Sequence, residues 1–442
     1  MIKKIAYTFL IVCCIIVTVG FFRYNPTVIY AEKVPVSAET VIYINLREIE
    51  YNILTSFLKY PFSQLDFKKQ SAAKKEEQRS LLDEIEIPSS VFLYTNQQEF
   101  KGFLISSKIS VKNNFAEVLK EKGFKEEKSD GVIIYDKQQI TCVVSDKEAQ
   151  VIYKVNKNDK VSHELIKALN KRDYFSEDAE IFAKSKKHKS PITFTTAKGD
   201  FFKVLVDKGQ LNIDGQLNEA NDIFLPFKTG FDTNGIAIIS GKLNTKKLTK
   251  ILPENTSEKF RKFTTLSLDS IAAKWNGTMD FQLSSFVEKS DTIITYEYDD
   301  DFNKVAKKEI QNSITPNIIF NLEGEGLCEY LYKKEVIKQV GGNEVLTLIP
   351  LFTTYSFCDK DKLQISSQKQ PVLNEMKKLE DKFYFSFNVA QYQAKDRGIY
   401  SFKNKYLDKV EVLQLSVANN NQLKGTIKLN NTSKNFFLQV LN

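Results

Sequence analysis

Ile5 to Phe22 is the stretch that most constrains this chain: eighteen residues without a charge, preceded by Lys3 and Lys4. A run of that length is about the shortest that crosses a bilayer core as a helix. A cleaved secretory signal has the same basic start, but its apolar core spans only ~7–15 residues and ends at a small-x-small site. Thr18-Val19-Gly20 falls inside the run and Ile29-Tyr30-Ala31 lies well past it, so neither suits cleavage. Lipidation needs a small residue before the modified cysteine, and Val12 precedes Cys13. The run therefore predicts an uncleaved signal-anchor, a transmembrane helix within an anchor and connector spanning 1–31. Lys3 and Lys4 hold the amino terminus in the cytoplasm. The expected protein is a single-pass component of the bacterial inner membrane with its C-terminal body in the periplasm.

About 410 residues follow, enough for two or three domains with cores of their own. A hydrophobic fraction of 42% and a charged fraction of 27% exclude disorder as the main state. The net charge of +8 falls to +5 once Lys3, Lys4 and Arg23 are set aside, and that excess is scattered, so nucleic acid is not an expected partner. Cys13 and Cys14 sit in the anchor and Cys142 in an expected strand. That leaves Cys328 and Cys358 as the pair able to bridge, with buried free thiols as the plainer expectation.

The body reads as strands punctuated by helices. Thr40 to Asn45 is an apolar strand running into a helix, where Asn45 can cap the first amides and Leu46, Ile49, Ile53 and Phe57 share one face up to Pro61. Lys68 to Glu86 is charge-rich and helical by propensity. Strands are expected at 91–95 and 102–106, then a helix over 114–122 capped by Asn114, then a meander through 132–135, 140–144 and 151–155. Another helix is marked by Leu165, Ile166 and Leu169, followed by the basic run Lys184 to Lys189 and strands near 192–196, 204–206 and 211–217. The second half opens on a strand at 235–240 and a helix capped by Asn244. Strands at 292–298 and 317–322 flank a short helix over 305–310, and a last apolar strand ends at Asn388.

An apolar strand ending in Asn and then an aliphatic residue occurs three times, at Asn45-Leu46, Asn321-Leu322 and Asn388-Val389. The segments Asp214 to Leu225 and Gly425 to Leu438 also end alike. These repeats predict a duplicated α+β unit. The expected fold is α+β: an N-terminal transmembrane helix, then two similar, mostly antiparallel sheet units with flanking helices, at 32–228 and 229–442. Val34-Pro35-Val36-Ser37-Ala38, leading into Val41 to Leu46, together with the Asn-rich end from Lys424 to Asn435, resembles a group of uncharacterised bacterial membrane-anchored envelope proteins of unknown function. That resemblance implies an envelope location and no chemistry, and it carries over no site residues.

Chemistry is sparse. Of the two histidines, His188 lies among lysines as a solvated loop residue and His163 precedes a helix. Neither has metal-ligand spacing, and no Gly-x-Ser-x-Gly elbow or phosphate loop occurs; Gly324-Glu-Gly326 alone is too short a signal. Glu297, Asp299, Asp300 and Asp301 form an oxygen-rich run without the EF-hand alternation, and Asp301 reads as a helix cap. Glu323 and Glu325 are a carboxylate pair that acid–base or glycoside chemistry could use. No catalytic, cofactor-binding or metal residue is assigned. The expectation is a non-catalytic membrane-anchored envelope protein that binds or scaffolds other envelope components. It is held in the membrane through residues 5–22, with a protein as its expected partner. The alternative is a carrier or sensor of an apolar ligand such as a lipid.

Overall fold

The computed structural model describes residues 33–60, 80–95, 104–129, 132–145, 147–154, 161, 173–218, 220–227, 229–231, 235–251, 255–298, 302–349, 351–371, 377–379, 381–396 and 407–441. The chain divides into two compact units, one of Met1–Leu217 with Ser433–Asn442 and one of Asn218–Thr432.

In the first unit the strands are β1 (Thr40–Asn45), β2 (Ser90–Thr95), β3 (Leu104–Ser110), β4 (Lys125–Ser129), β5 (Val132–Lys137), β6 (Ile140–Val144), β7 (Glu148–Lys154), β8 (Ile192–Thr196), β9 (Phe201–Asp207) and β10 (Gln210–Gln216). They lie side by side as β4-β5-β6-β7-β3-β2-β1-β8-β9-β10, every neighbour antiparallel. Strand side chains alternate between faces. Val41 and Tyr43 of β1 and Phe92 and Tyr94 of β2 therefore point together into a core closed by Ile181 and Phe182 of the helix Glu180–Lys187. A second core gathers Phe115 and Leu119 of the helix Phe115–Glu121 over Tyr135 and Cys142.

In the second unit the strands are β11 (Thr229–Phe231), β12 (Ala237–Lys242), β13 (Thr278–Tyr298), β14 (Lys304–Glu323), β15 (Ile337–Val340), β16 (Asn343–Leu346), β17 (Thr354–Asp359), β18 (Lys362–Ser366), β19 (Lys377–Leu379), β20 (Asp381–Asn388), β21 (Val410–Ala418) and β22 (Gln422–Leu429). β11 and β19 form a separate two-stranded ladder. The other ten run β15-β16-β17-β18-β14-β13-β12-β20-β21-β22, again all antiparallel. Strand for strand this is the order of the first unit, with β12 in the place of β1 and β13–β14 in the place of β2–β3. The helix Leu327–Lys333 follows β14 as Phe115–Glu121 follows β3, and its buried Leu327, Cys328 and Leu331 join Leu363 and Ile365 in the core.

Several expectations are corrected. No helix among the described residues is long and apolar enough to cross a membrane. The longest, Leu46–Lys59, has 14 residues, a rise of about 21 Å against a hydrocarbon core of ~30 Å. Apolar residues elsewhere are spaced along strands in alternation, which does not build a continuous apolar helix. The transmembrane helix, the signal-anchor and the single-pass inner-membrane location are therefore corrected; the Ile5–Phe22 run itself lies outside the described residues. So do most of the charge-rich 68–86 segment, the Leu165–Leu169 helix, His163 and Asp299 to Asp301.

Within that segment, Leu81–Glu84 is a 3-10 turn capped by Ser80. Asn114 makes no side-chain cap bond. The expected helix over 305–310 is strand: Val305 to Ile310 pair with Glu297 to Thr292 of β13. Cross-strand hydrogen bonding over the whole length of β14 overrides the weak helical preference of a six-residue stretch.

The Asn-aliphatic signature divides. Asn45 caps its helix, its Oδ1 accepting the Glu48 amide at 3.1 Å, and Asn388 caps the helix Val389–Asp396 by accepting the Gln391 amide at 2.9 Å. Asn321 stays inside β14. Asn45→Ala is expected to cost about 1 kcal/mol. In urea titrations this appears as a lower midpoint with an unchanged slope.

Candidate functional site

Two features of the second unit stand out from a scaffold that the first unit repeats. The first is the β13–β14 hairpin. Its counterpart β2–β3 has strands of 6 and 7 residues, whereas β13 and β14 have 21 and 20. β12 pairs with β13 only as far as Leu283, and β18 pairs with β14 only from Ile319. Among the described residues the ladder from Ser285 to Tyr298 and from Lys304 to Asn317 joins β13 and β14 alone. This two-stranded arm extends roughly 40–45 Å by the rise of a strand.

The register sorts the arm into two faces. Thr292, Ile294, Tyr296 and Tyr298 stand opposite Ile310, Lys308, Ala306 and Lys304, so all eight share one face. It is open: Ile294 and Tyr296 are each 56% exposed, Tyr298 69% and Ile310 74%. Lys304 Nζ sits 4.2 Å from the Tyr296 ring centroid. The other face carries Glu297, Lys307 and Glu309, with Lys307 Nζ 2.8 Å from Glu297 and 3.6 Å from Glu309. The hydrogen bond and charge of Glu297 raise the Lys307 ammonium above its ordinary range. At the base, Phe286 packs edge-on against Tyr392 of the helix Val389–Asp396 at 5.6 Å.

The second feature is a cleft of about 660 Å³ on the sheet below the arm. Side-by-side pairing places Ser240, Asp280, Asn321, Gln364 and Phe357 in one row across β12, β13, β14, β18 and β17. Glu323, Lys362 and Asp359 form the next row on the same face. The opposite face is core, where Phe281 and Phe320 meet edge to face at 6.1 Å. In the polar row the Ser240 hydroxyl donates to Asp280 Oδ1, and Gln364 Nε2 donates to Asn321 Oδ1 at 3.0 Å. Burial pushes the Asp280 carboxyl above the usual carboxylate range; the Ser240 bond opposes this and the Glu323 charge adds to it. Burial and a hydrogen bond to Glu344 push the Tyr332 phenol up to about 12.

The residues singled out in the sequence fall differently. Glu323 lines the cleft, Glu325 is exposed on the following turn, and Glu297 is ion-paired on the arm. His188 is not a solvated loop residue. It ends the helix Glu180–Lys187 with its ring stacked on Phe201 at 5.1 Å, and burial, then Lys203 and Lys187, lower its imidazole below the ordinary range. Gly324 and Gly326 shape a turn: a Cβ on Gly324 would meet the Lys274 carbonyl oxygen at 2.1 Å, and Gly326 takes φ +68 before its helix. Cys328 and Cys358 are bonded, where free thiols were the plainer expectation, and burial raises the remaining Cys142 thiol to about 12. Among the described residues no three His, Cys, Asp or Glu side chains are grouped to hold a metal. The arm and the polar row escaped sequence reading because both depend on register; the alternation of Ile294, Tyr296 and Tyr298 was the one local sign.

No family model matches this chain, and no curated protein matches it. Among solved structures, crystal forms I and III of TP0453 align with 78% of this chain and with 93% and 94% of theirs, at 10% identity and TM-scores of 0.23 and 0.22. Crystal form IV aligns over 75% and 91% at 13% identity, with a TM-score of 0.22. TP0453 is thus a structural neighbour. An overlap of this size assigns neither family nor function.

Proposed function

We propose that this is a non-catalytic binding protein that engages or scaffolds other proteins through the apolar face of the β13–β14 arm. The observation that carries this reading is the difference between two units of identical strand order: the arm is the elaboration that the shared scaffold does not need. A lone two-stranded ribbon is marginal in water, and open edges bearing exposed Ile and Tyr invite association. A partner that covers Ile294, Tyr296, Tyr298 and Ile310 removes that apolar area from water at about 25 cal/mol per Å². The charged face with its Glu297–Lys307–Glu309 cluster stays solvated and fixes which side docks. An apolar-ligand carrier is the weaker reading, because the cleft in this unit carries Asp280, Glu323 and Asp359 beside its aromatic and aliphatic walls, and burying those carboxylates under an apolar ligand is costly.

The test is a photoreactive residue at Tyr296 in the full chain, illuminated in the native cell, with the same residue at Lys307 as the opposite-face control. A discrete adduct from Tyr296 that disappears in Ile294→Ser/Ile310→Ser is expected, with the thermal transition of that variant unchanged. Equal labelling from both faces, or none, removes the arm as the contact.

A further inference from the structure

We infer that the edge of β13 from Thr292 to Tyr298 takes an added β-strand from a partner protein, an extended segment in which apolar residues alternate with lysine or arginine. This rests on the reading of the arm as a protein-binding element and names the form of the partner. In an antiparallel pair each strand turns every second amide and carbonyl away from its neighbour. From Thr292 to Tyr298 β13 pairs with β14 alone among the described residues, so its outward backbone groups form an open edge about 20 Å long. The two edges of the arm are not equivalent. The β14 edge carries Lys304, Lys307 and Lys308, the residue type that blunts the edges of natural sheets. Thr292-Ile-Ile-Thr-Tyr-Glu-Tyr298 has no cation and consists, apart from Glu297, of β-branched and aromatic residues that favour pairing. A strand laid along β13 sets alternate residues beside Ile294, Tyr296 and Tyr298 on the open apolar face, and the residues between them beside Thr295 and Glu297. The Glu297 side chain is 62% exposed, so a partner cation reaches it alongside Lys307. Main-chain bonds then supply affinity, and the alternating side chains select the segment. A second copy pairing through β14 would bring both sets of lysines onto one seam, where like charges oppose pairing.

The test is hydrogen exchange of the full chain, read by mass spectrometry, with and without a capped ten-residue peptide of alternating valine and lysine. The controls are the same peptide with glutamate in place of lysine and the same peptide N-methylated at every residue. Slower exchange over Thr292–Tyr298, with Lys304–Ile310 unchanged and neither control protecting, is expected. Glu297→Lys should weaken the valine–lysine peptide by about fivefold in an anisotropy titration. Circular dichroism verifies that this variant is folded; if it is not, the glutamate peptide alone decides. No binding, binding without protection of Thr292–Tyr298, or protection confined to Lys304–Ile310 overturns the inference. A free chain that sediments as a dimer and is already protected over Thr292–Tyr298 makes a second copy the occupant, and overturns it as well. The cellular adduct from Tyr296 separates this inference from the reading beneath it. An adduct without strand addition strikes the β13 edge alone, whereas the absence of both strikes the arm as a contact.

Discussion

Replacing Cys328 and Cys358 by alanine is expected to lower the stability of the second unit by about 3.5 kcal/mol. The two are bonded across 30 residues of sequence, joining the helix Leu327–Lys333 to β17. Closing a loop of that length removes unfolded-state entropy worth about this much at room temperature. The expected fall in Tm is roughly 10 °C for a unit of this size. The bond sits at the core where Leu327, Leu331, Leu363 and Ile365 meet, so both alanines also leave small voids that add to the loss. Scanning calorimetry with and without reductant checks this: reductant should shift one transition of the native protein and none of the variant. A reductant-insensitive native protein overturns the prediction. Such bonds persist in oxidising compartments. The corresponding place in the first unit has Cys142 on β6, packed in a core with Phe115 and, at its margin, Ala116, so no bridge forms there.

Asn435→Ala is expected to cost about 3 kcal/mol, an unusual effect for a residue so near the carboxy end. Asn435 is completely buried. Its Nδ2 donates to Asn52 Oδ1 at 2.7 Å and to Ser56 Oγ at 2.8 Å, while its Oδ1 accepts the Phe437 amide at 3.0 Å and caps the helix Phe436–Leu441. Asn52 Nδ2 in turn donates to the Val206 carbonyl at 3.0 Å. Alanine loses these bonds and leaves the half-buried acceptors on Asn52 and Ser56 without this donor. Truncation after Thr432 should match the substitution or exceed it, since it also removes the Gly209 amide bond to the Lys434 carbonyl at 2.6 Å. Equilibrium denaturation of both variants decides whether this polar cluster holds the last ten residues in the first unit; a loss under ~1 kcal/mol rejects it.

Much of the local structure was legible from residue order. The alternation in Thr40 to Asn45, the cap at Asn45, the helix that follows and the strand ending at Asn388 all depend on contacts within a few residues, and the chain carries those signals intact. Val305 to Ile310 shows where this stops. Its composition tolerates a helix, and only a β13 partner along its whole length makes it a strand. Asn321 carries the same local signature as Asn45 and Asn388, yet it sits inside a ladder with β13 and β18 and bonds Gln364 rather than a helix amide.

What the sequence by itself determined is the strand-rich, antiparallel grammar and two of the three Asn-capped strand-to-helix turns, because these follow from backbone geometry and short-range hydrogen bonding. Tertiary structure alone decided the identical strand order of the two units and the bonding of Cys328 to Cys358. It also decided the polar row through Asp280, the open face of the arm and the return of Asn435 to the first helix. Each of these joins residues tens to hundreds of positions apart, and register, which a single chain does not print, chooses which of them share a face.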